Sequence, residues 1–274
     1  MREIALALMR RLAERGARTG WTASPAGPLR YAVRGPGEAP CALLIHGLGD
    51  SLAGWAQVAG PLARSYQVHL LDLPGHGLSG RPSDWRLDTL AGAIAGYARG
   101  LHQPILVGHS LGGWLALRLA LSGKVRPRAI ALVNPGGALL AREQWAPFRA
   151  LVRARDRAGV ERYLDAAFHR APLALRLFPG EVIRAMSAEA CDGVLDAVSE
   201  SDFLREAELR ELDLPVRLIW GDRDRLLPEG TLAFFRRALP RAEVVMLQGS
   251  GHLPHLESPR ALARALLAPF PAGG

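Results

Sequence analysis

Residues 107–114 read VGHSLGGW, and within them Gly108-His109-Ser110-Leu111-Gly112 has the form G-x-S-x-G. The apolar run PILVG before it has strand character, and SLGGWLALRLAL after it has helix character. A serine on so tight a strand-to-helix turn holds its hydroxyl above the sheet, and bulky neighbours at 108 and 112 would collide with the turn. The helix N-terminus behind it favours developing negative charge. A serine hydroxyl is a weak nucleophile. It needs a base, and the base needs an acid to orient it. QGSGHLPHLESP (248–259) supplies His252 just after the run EVVML, and LIWGDRDRLLP (218–228) supplies Asp222 and Asp224. Serine, then aspartate, then histidine is a recognised chain order for such a group. At this level either aspartate fits, and either could instead cap the helix that begins near Glu229.

His252 and His255, with Glu257 behind them, also raise the question of a metal. Pro254 stands between the two histidines and argues against a continuous helix that would aim both rings at one ion. The metalloprotease pattern needs histidines at i and i+4 with a glutamate between. The spacing here is i and i+3, so no metal is expected.

These residues need elements to position them. From residue 29 short apolar runs alternate with helical stretches: LRYAV, CALLI, YQVHLLDL, PILVG and RAIALVN read as strands, with helices between. Such alternation predicts an α/β fold, a mostly parallel central sheet flanked by helices. The rhythm breaks after Asn134. Residues 135–212 carry helical patterns only, with Trp145, Phe148, Tyr163, Phe168 and Phe178 among them. Strand–helix alternation resumes with PVRLIWG, TLAFFRRAL, EVVML and SPRALARALLA. The economical division is a core over 21–134 and 213–274 with a helical cap over 135–212. That cap would roof the site, and Trp145 and Phe148 are candidate substrate contacts.

Residues 1–20 read as an amphipathic helix, with Ile4, Leu8 and Leu12 at i, i+4 and i+8 among four arginines. Such a stripe packs on its own domain or rests on a lipid surface. Packing is the commoner use and is the expectation here. There is no uninterrupted apolar segment typical of a signal peptide and no run of membrane-spanning length. A cytoplasmic location is expected. Within 274 residues the net charge is +8, nearly all of the positive charge being arginine, and Lys124 is the lone lysine. The arginines are scattered, without the clustered basic patch of a nucleic-acid site, so no nucleic-acid partner is expected. The spacing of Cys41 and Cys191 requires no disulfide.

Five segments together resemble the α/β-hydrolase superfamily over about residues 29–270: HGLGD (46–50), DLPGHGLS (72–79), GHSLGG (108–113), GDRDRLLP (221–228) and SGHLPHLESP (250–259). The resemblance implies a serine esterase or lipase-like member with a helical cap, using Ser110 as nucleophile and His252 as base. It assigns the acid to Asp224 over Asp222. It assigns the oxyanion-hole amides to Leu48 and Leu111, and places His46, Gly47 and His109 around the substrate. His255 and Glu257 are left to organise the loop. No cofactor is implied. The expected reaction is hydrolysis of an uncharged ester of short to medium acyl chain through an acyl-enzyme. Carbon–carbon bond hydrolysis of the meta-cleavage type, acyl transfer to another acceptor or to peroxide, and ligand binding without catalysis are the alternatives on this fold. Oligomeric state is not legible.

Overall fold

The computed structural model describes residues 2–177, 179–186 and 189–270; Phe178 and the side chain of Ile4 lie outside the described residues. Among the described residues eight strands form one sheet: β1 (Arg18–Thr22), β2 (Leu29–Arg34), β3 (Cys41–Ile45), β4 (Gln67–Leu71), β5 (Ile105–His109), β6 (Ala129–Val133), β7 (Val216–Gly221) and β8 (Glu243–Leu247). Their order is β1-β2-β4-β3-β5-β6-β7-β8. β1 and β2 are antiparallel to their neighbours, and every pairing from β4 to β8 is parallel. Strand β3 lies between β4 and β5, so the winding reverses there. In such sheets ligands bind outside the carboxyl ends of the strands at the reversal.

The helices, in chain order, are α1 (Arg2–Glu14), α2 (Ala56–Leu62), α3 (Leu87–Ala98), α4 (Leu111–Leu121), α5 (Arg142–Val152), α6 (Arg157–Ala167), α7 (Leu173–Leu177), α8 (Pro179–Met186), α9 (Glu189–Ala197), α10 (Glu206–Arg210), α11 (Thr231–Ala238), α12 (Pro254–Glu257) and α13 (Pro259–Leu267). Alternation along β3 sorts the core into two layers. Leu43 and Ile45 pack with residues of α3 and α4, whereas Ala42 and Leu44 pack with residues of α2 and α13. The stretch before α2 opens with a 3₁₀ turn, Leu52–Trp55, capped by Ser51.

Helices α5 to α10 fill the interval between β6 and β7. The two stems of this insertion are tied together, since the Leu204 amide donates to the Gly137 carbonyl (2.8 Å) and the Leu139 amide to that of Leu204 (3.1 Å). Val160, Leu164, Phe168 and Val182 form a small core of its own that Leu226 of the main domain joins.

The N-terminal segment differs from expectation in length and in facing. The helix ends at Glu14, Gly16 follows with φ +69°, and the chain enters β1 at Arg18, antiparallel to β2. A left-handed residue just past a helix end is a common terminator, and glycine adopts it without strain. The Leu8–Leu12 stripe does not pack: Leu8 is 64% exposed and Leu12 40%. The inward face carries Ala13 together with charge. Arg10 pairs with the buried Asp72 at 3.0 Å, and Glu14 with Arg30 at 2.8 Å. Asp72 also accepts the amides of Leu52 (2.7 Å) and Leu78 (2.8 Å). One carboxylate thus joins α1, the 3₁₀ turn beside the HGLGD loop and the turn after β4. An Asp72 without Arg10 would be a buried, uncompensated charge, which directs the helix to this facing.

Candidate active site

Ser110 follows β5 with φ +51° and ψ −116°, outside the regions that L-residues ordinarily occupy. Its amide donates to the Val133 carbonyl (3.0 Å), and its carbonyl accepts from the amides of Gly113, Trp114 and Gly136 at 3.0–3.1 Å. Helix α4 and the turn after β6 therefore hold the strained residue. A Cβ at Gly108 would overlap the Gly112 backbone, and a Cβ at Gly112 would overlap the carbonyl of Ile45. The two glycines of the motif are steric necessities of a helix start pressed against β3.

The loop after β3 reaches the same point. A Cβ on Gly47 would stand 2.8 Å from His109 Nδ1 and 3.2 Å from Ser110 Cβ, so only glycine brings this loop so close. Leu48 and Leu111 line a pocket together with Ser110. The Leu111 amide lies in the first turn of α4, where amides lack an intrahelical partner and can serve an oxyanion. His46 departs from the expected substrate contact. It is fully buried, its Nδ1 donates to the Gly47 carbonyl (2.7 Å) and its Nε2 accepts from the Leu73 amide (3.0 Å). Both ring nitrogens are spent on the loop, and neither His46 nor Gly47 is among the residues that line the cavities described below.

Asp224 lies in the loop after β7, and His252 in the loop after β8. His252 Nδ1 donates to Asp224 Oδ2 at 2.8 Å, with both side chains buried. Committing that proton to the carboxylate leaves Nε2 as the basic nitrogen. The other oxygen of Asp224 accepts the amides of Leu226 (2.9 Å) and Leu227 (3.2 Å). Burial alone would raise the carboxyl's pKa. The opposing pull of His252 and the hydrogen bonds from His252, Asn134 and Leu227 outweigh burial, and Asp224 sits below its ordinary value. Asp222 faces elsewhere, its Oδ1 accepting from the amides of Gly249 (2.6 Å) and Ser250 (3.3 Å). It braces the turn that carries His252. Glu257 accepts from the amides of Gly251 (2.6 Å) and Arg170 (2.9 Å), tying that loop to the cap.

Asn134 is a site residue that sequence reasoning missed. Its Nδ2 donates to Asp224 Oδ2 at 2.6 Å and its Oδ1 accepts from the Gly221 amide at 3.2 Å. At φ +43° it takes a left-handed conformation that asparagine tolerates better than most residues. The available signal was an Asn-Pro at the end of the strand next to the nucleophile strand.

The backbone of His252 is held from two sides. Its amide donates to the Ala167 carbonyl at the end of α6 (2.7 Å), and its carbonyl accepts from His109 Nε2 (2.8 Å). His109 packs on His255 with ring centroids 4.5 Å apart, and burial pushes its pKa well down. His255 Nε2 is 3.2 Å from Asp50 Oδ2. Burial raises the Asp50 carboxyl's pKa, but its hydrogen bond and charge interaction with His255 prevail and lower it. His109, His255 and Asp50 each offer one donor atom, all within 4.8 Å of one another. The packed, tilted rings, the Asp50–His255 ion-pair contact and the His109 bond to the His252 carbonyl fit a support for the His252 loop.

Ser110 opens onto two spaces. The larger, about 490 Å³, is lined by Ser110, His109 and His252 and by cap residues such as Val152, Tyr163, Leu164 and Phe168. The smaller, about 50 Å³, is lined by Ser110, Leu48, Leu111, Trp114, Trp145 and Phe203. Phe148 borders both.

A strained serine at a strand–helix turn, a histidine–aspartate pair from later strand ends and a helical cap over them define a hydrolase. The family model described as "Alpha/beta hydrolase family" matches residues 42–265, and the chain belongs to that family. Among relatives, a pimeloyl-[acyl-carrier protein] methyl ester esterase from Yersinia enterocolitica is 30% identical, over 84% of this chain and 93% of its own length. A dihydrolipoyllysine-residue acetyltransferase component of an acetoin cleaving system from Cupriavidus necator is 31% identical over 84% of this chain, which spans only 63% of that protein. Among solved structures, a bacterial membrane phospholipase A superposes with a TM-score of 0.82 at 28% identity, covering 96% of this chain and 89% of that one.

Proposed function

We propose that this hydrolase cleaves carboxylic esters through an acyl-enzyme formed on Ser110. The observation that carries the reading is the Asp224–His252 pair at 2.8 Å, buried beside a serine held at φ +51° on the wall of a cap-covered cavity. Ser110 Oγ attacks the ester carbonyl while His252 Nε2 takes its proton. Asp224 holds the imidazole and stabilises its cationic form. The amides of Leu48 and Leu111 receive the oxyanion, at about 3–4 kcal/mol of transition-state stabilisation for such a donor. His252 then protonates the departing alcohol, and the same nitrogen activates water to release the acid.

The two spaces beside Ser110 support a division of the substrate. The larger lies within the usual range for ligand sites, roughly 300–1,000 Å³, and its apolar cap walls suit an uncharged acyl chain of short to medium length. The smaller suits a small alcohol. The methyl ester and phospholipid substrates named for two of the similar proteins are both carboxylic esters, which favours this bond type. The test is turnover of p-nitrophenyl esters of increasing acyl length by the wild type and Ser110→Ala. Wild-type turnover should peak at short to medium chains. The variant should stay folded and lose on the order of 10⁶-fold, as expected of a triad nucleophile. A folded Ser110→Ala with near-wild-type turnover would remove the serine from its role.

A further inference from the structure

The facing of α1 leaves an apolar feature that the catalytic reading does not use. Leu8 and Leu12, one helical turn apart, are 64% and 40% exposed. A second pair has the same spacing on α7, where Leu173 and Leu177 are 69% and 61% exposed and no residue of the helix is buried. Both pairs flank the mouth of the large cavity. Met9, next to Leu8, lines that cavity, and so do Pro172 and Ala174 on either side of Leu173. Pro172, Ala174 and Gln57 are exposed lining residues, so the cavity meets solvent between α1, α2 and α7.

A soluble surface rarely gathers large exposed leucines around one opening without a use for them. Charge indicates what covers them. Arg11, Arg15 and Arg18 are exposed on or just after α1, and the chain carries a formal +8. Leucines flanked by exposed arginines are the composition of a segment that lies in a lipid interface, with guanidinium groups among anionic headgroups and leucines at the acyl boundary.

We infer that this face docks on an anionic lipid surface, with α1 and α7 seated in the interface and the mouth of the Ser110 cavity turned toward the lipid. Leu8 and Leu12 on one side and Leu173 and Leu177 on the other form the apolar rim, and Arg11, Arg15 and Arg18 supply the attraction to headgroups. The inference concerns where the protein sits and does not depend on which bond it cleaves.

Co-sedimentation with vesicles reads this without turnover. Purified wild-type protein should bind phosphatidylcholine vesicles containing phosphatidylglycerol about tenfold more tightly than phosphatidylcholine alone, and raised salt should weaken binding. Leu8→Ser/Leu12→Ser and Leu173→Ser/Leu177→Ser should each lower binding by about tenfold or more, because each removes two leucines from the interface. Hydrolysis of a soluble short-chain ester should be unchanged in both, since none of the four lines the cavity. Equal binding by folded wild type and variants would overturn the proposal. So would failure of the wild type to bind vesicles, most clearly if sedimentation equilibrium gave a dimer that the leucine variants dissolve. In that case a second copy of the chain covers the face.

Discussion

Asp224 and Asp222 lie two residues apart, yet only Asp224 reaches His252; Asp222 is spent on the amides of Gly249 and Ser250. Asp224→Asn should lower turnover by about 10⁴, the cost of losing the orienting acid of such a group. Asp222→Asn should cost far less and act through the loop. Purified variants assayed on one ester decide this, and the reverse ranking would transfer the role. Asn134 belongs to the same argument. Asn134→Gly keeps the left-handed backbone and deletes the 2.6 Å bond to Asp224. A hydrogen bond to a charged group is worth about 1.5–3 kcal/mol, so a loss of roughly 10–100-fold in kcat is expected. A folded Asn134→Gly with unchanged kcat would reduce Asn134 to a structural support.

Between elements, Asp72 is a junction. It takes the Leu52 amide, the Leu78 amide and Arg10, and so holds the 3₁₀ turn, the turn after β4 and α1 in one arrangement. Asp72→Ala leaves two buried amides and a guanidinium without their acceptor. Breaking a buried pair from one side typically costs 3–5 kcal/mol, and chemical denaturation should show a loss of that size. Asp72→Asn retains one acceptor oxygen and should lose less. A change below about 1 kcal/mol for the alanine variant would mean that α1 is held by its other contacts. The cap is likewise more than a cover. The Ala167 carbonyl holds the His252 amide and Glu257 links the His252 loop to Arg170, so the end of α6 helps to position the base.

Across the whole molecule, buried histidines set the response to acid. Burial lowers His69 to about 4 and His76 to about 3, with the charge of Arg18 adding to the first and that of His46 to the second. Both sit well below the roughly 6.5 of an unfolded histidine. Below that value the unfolded chain takes up protons that the folded protein refuses. Stability is therefore full above about pH 6.5 and falls as pH drops toward 4 and 3. By pH 5 the loss is about 2 kcal/mol for each of the two. Asp224, depressed in the fold, adds stability above the unfolded carboxylate value and loses it as pH falls through its folded one, in the same direction. Equilibrium denaturation at pH 7 and pH 5 should show the difference, and His69→Gln should remove its share. Equal stability at the two values would contradict it.

Much of this protein is local enough to be legible in one dimension. The G-x-S-x-G turn is legible because the clashes that forbid side chains at Gly108 and Gly112 arise within a few residues of Ser110 and the strand beside it. The parallel sheet is legible because strands buried on both faces must be continuously apolar, as β3, β5 and β6 are. The order of serine, aspartate and histidine follows from strand order along the chain. The facing of α1 was decided only in three dimensions, because Arg10 and Asp72 are 62 residues apart and no periodicity foretells an arginine turning inward while leucines turn out. The work of Asn134 was equally hidden, since its partners lie 87 and 90 residues away. The contact of His255 with Asp50 and the two spaces beside Ser110 needed the packed cap and loops as well. Local sterics and burial period are written into adjacent residues, whereas the pairing of buried polar groups depends on which loops the closed sheet brings together.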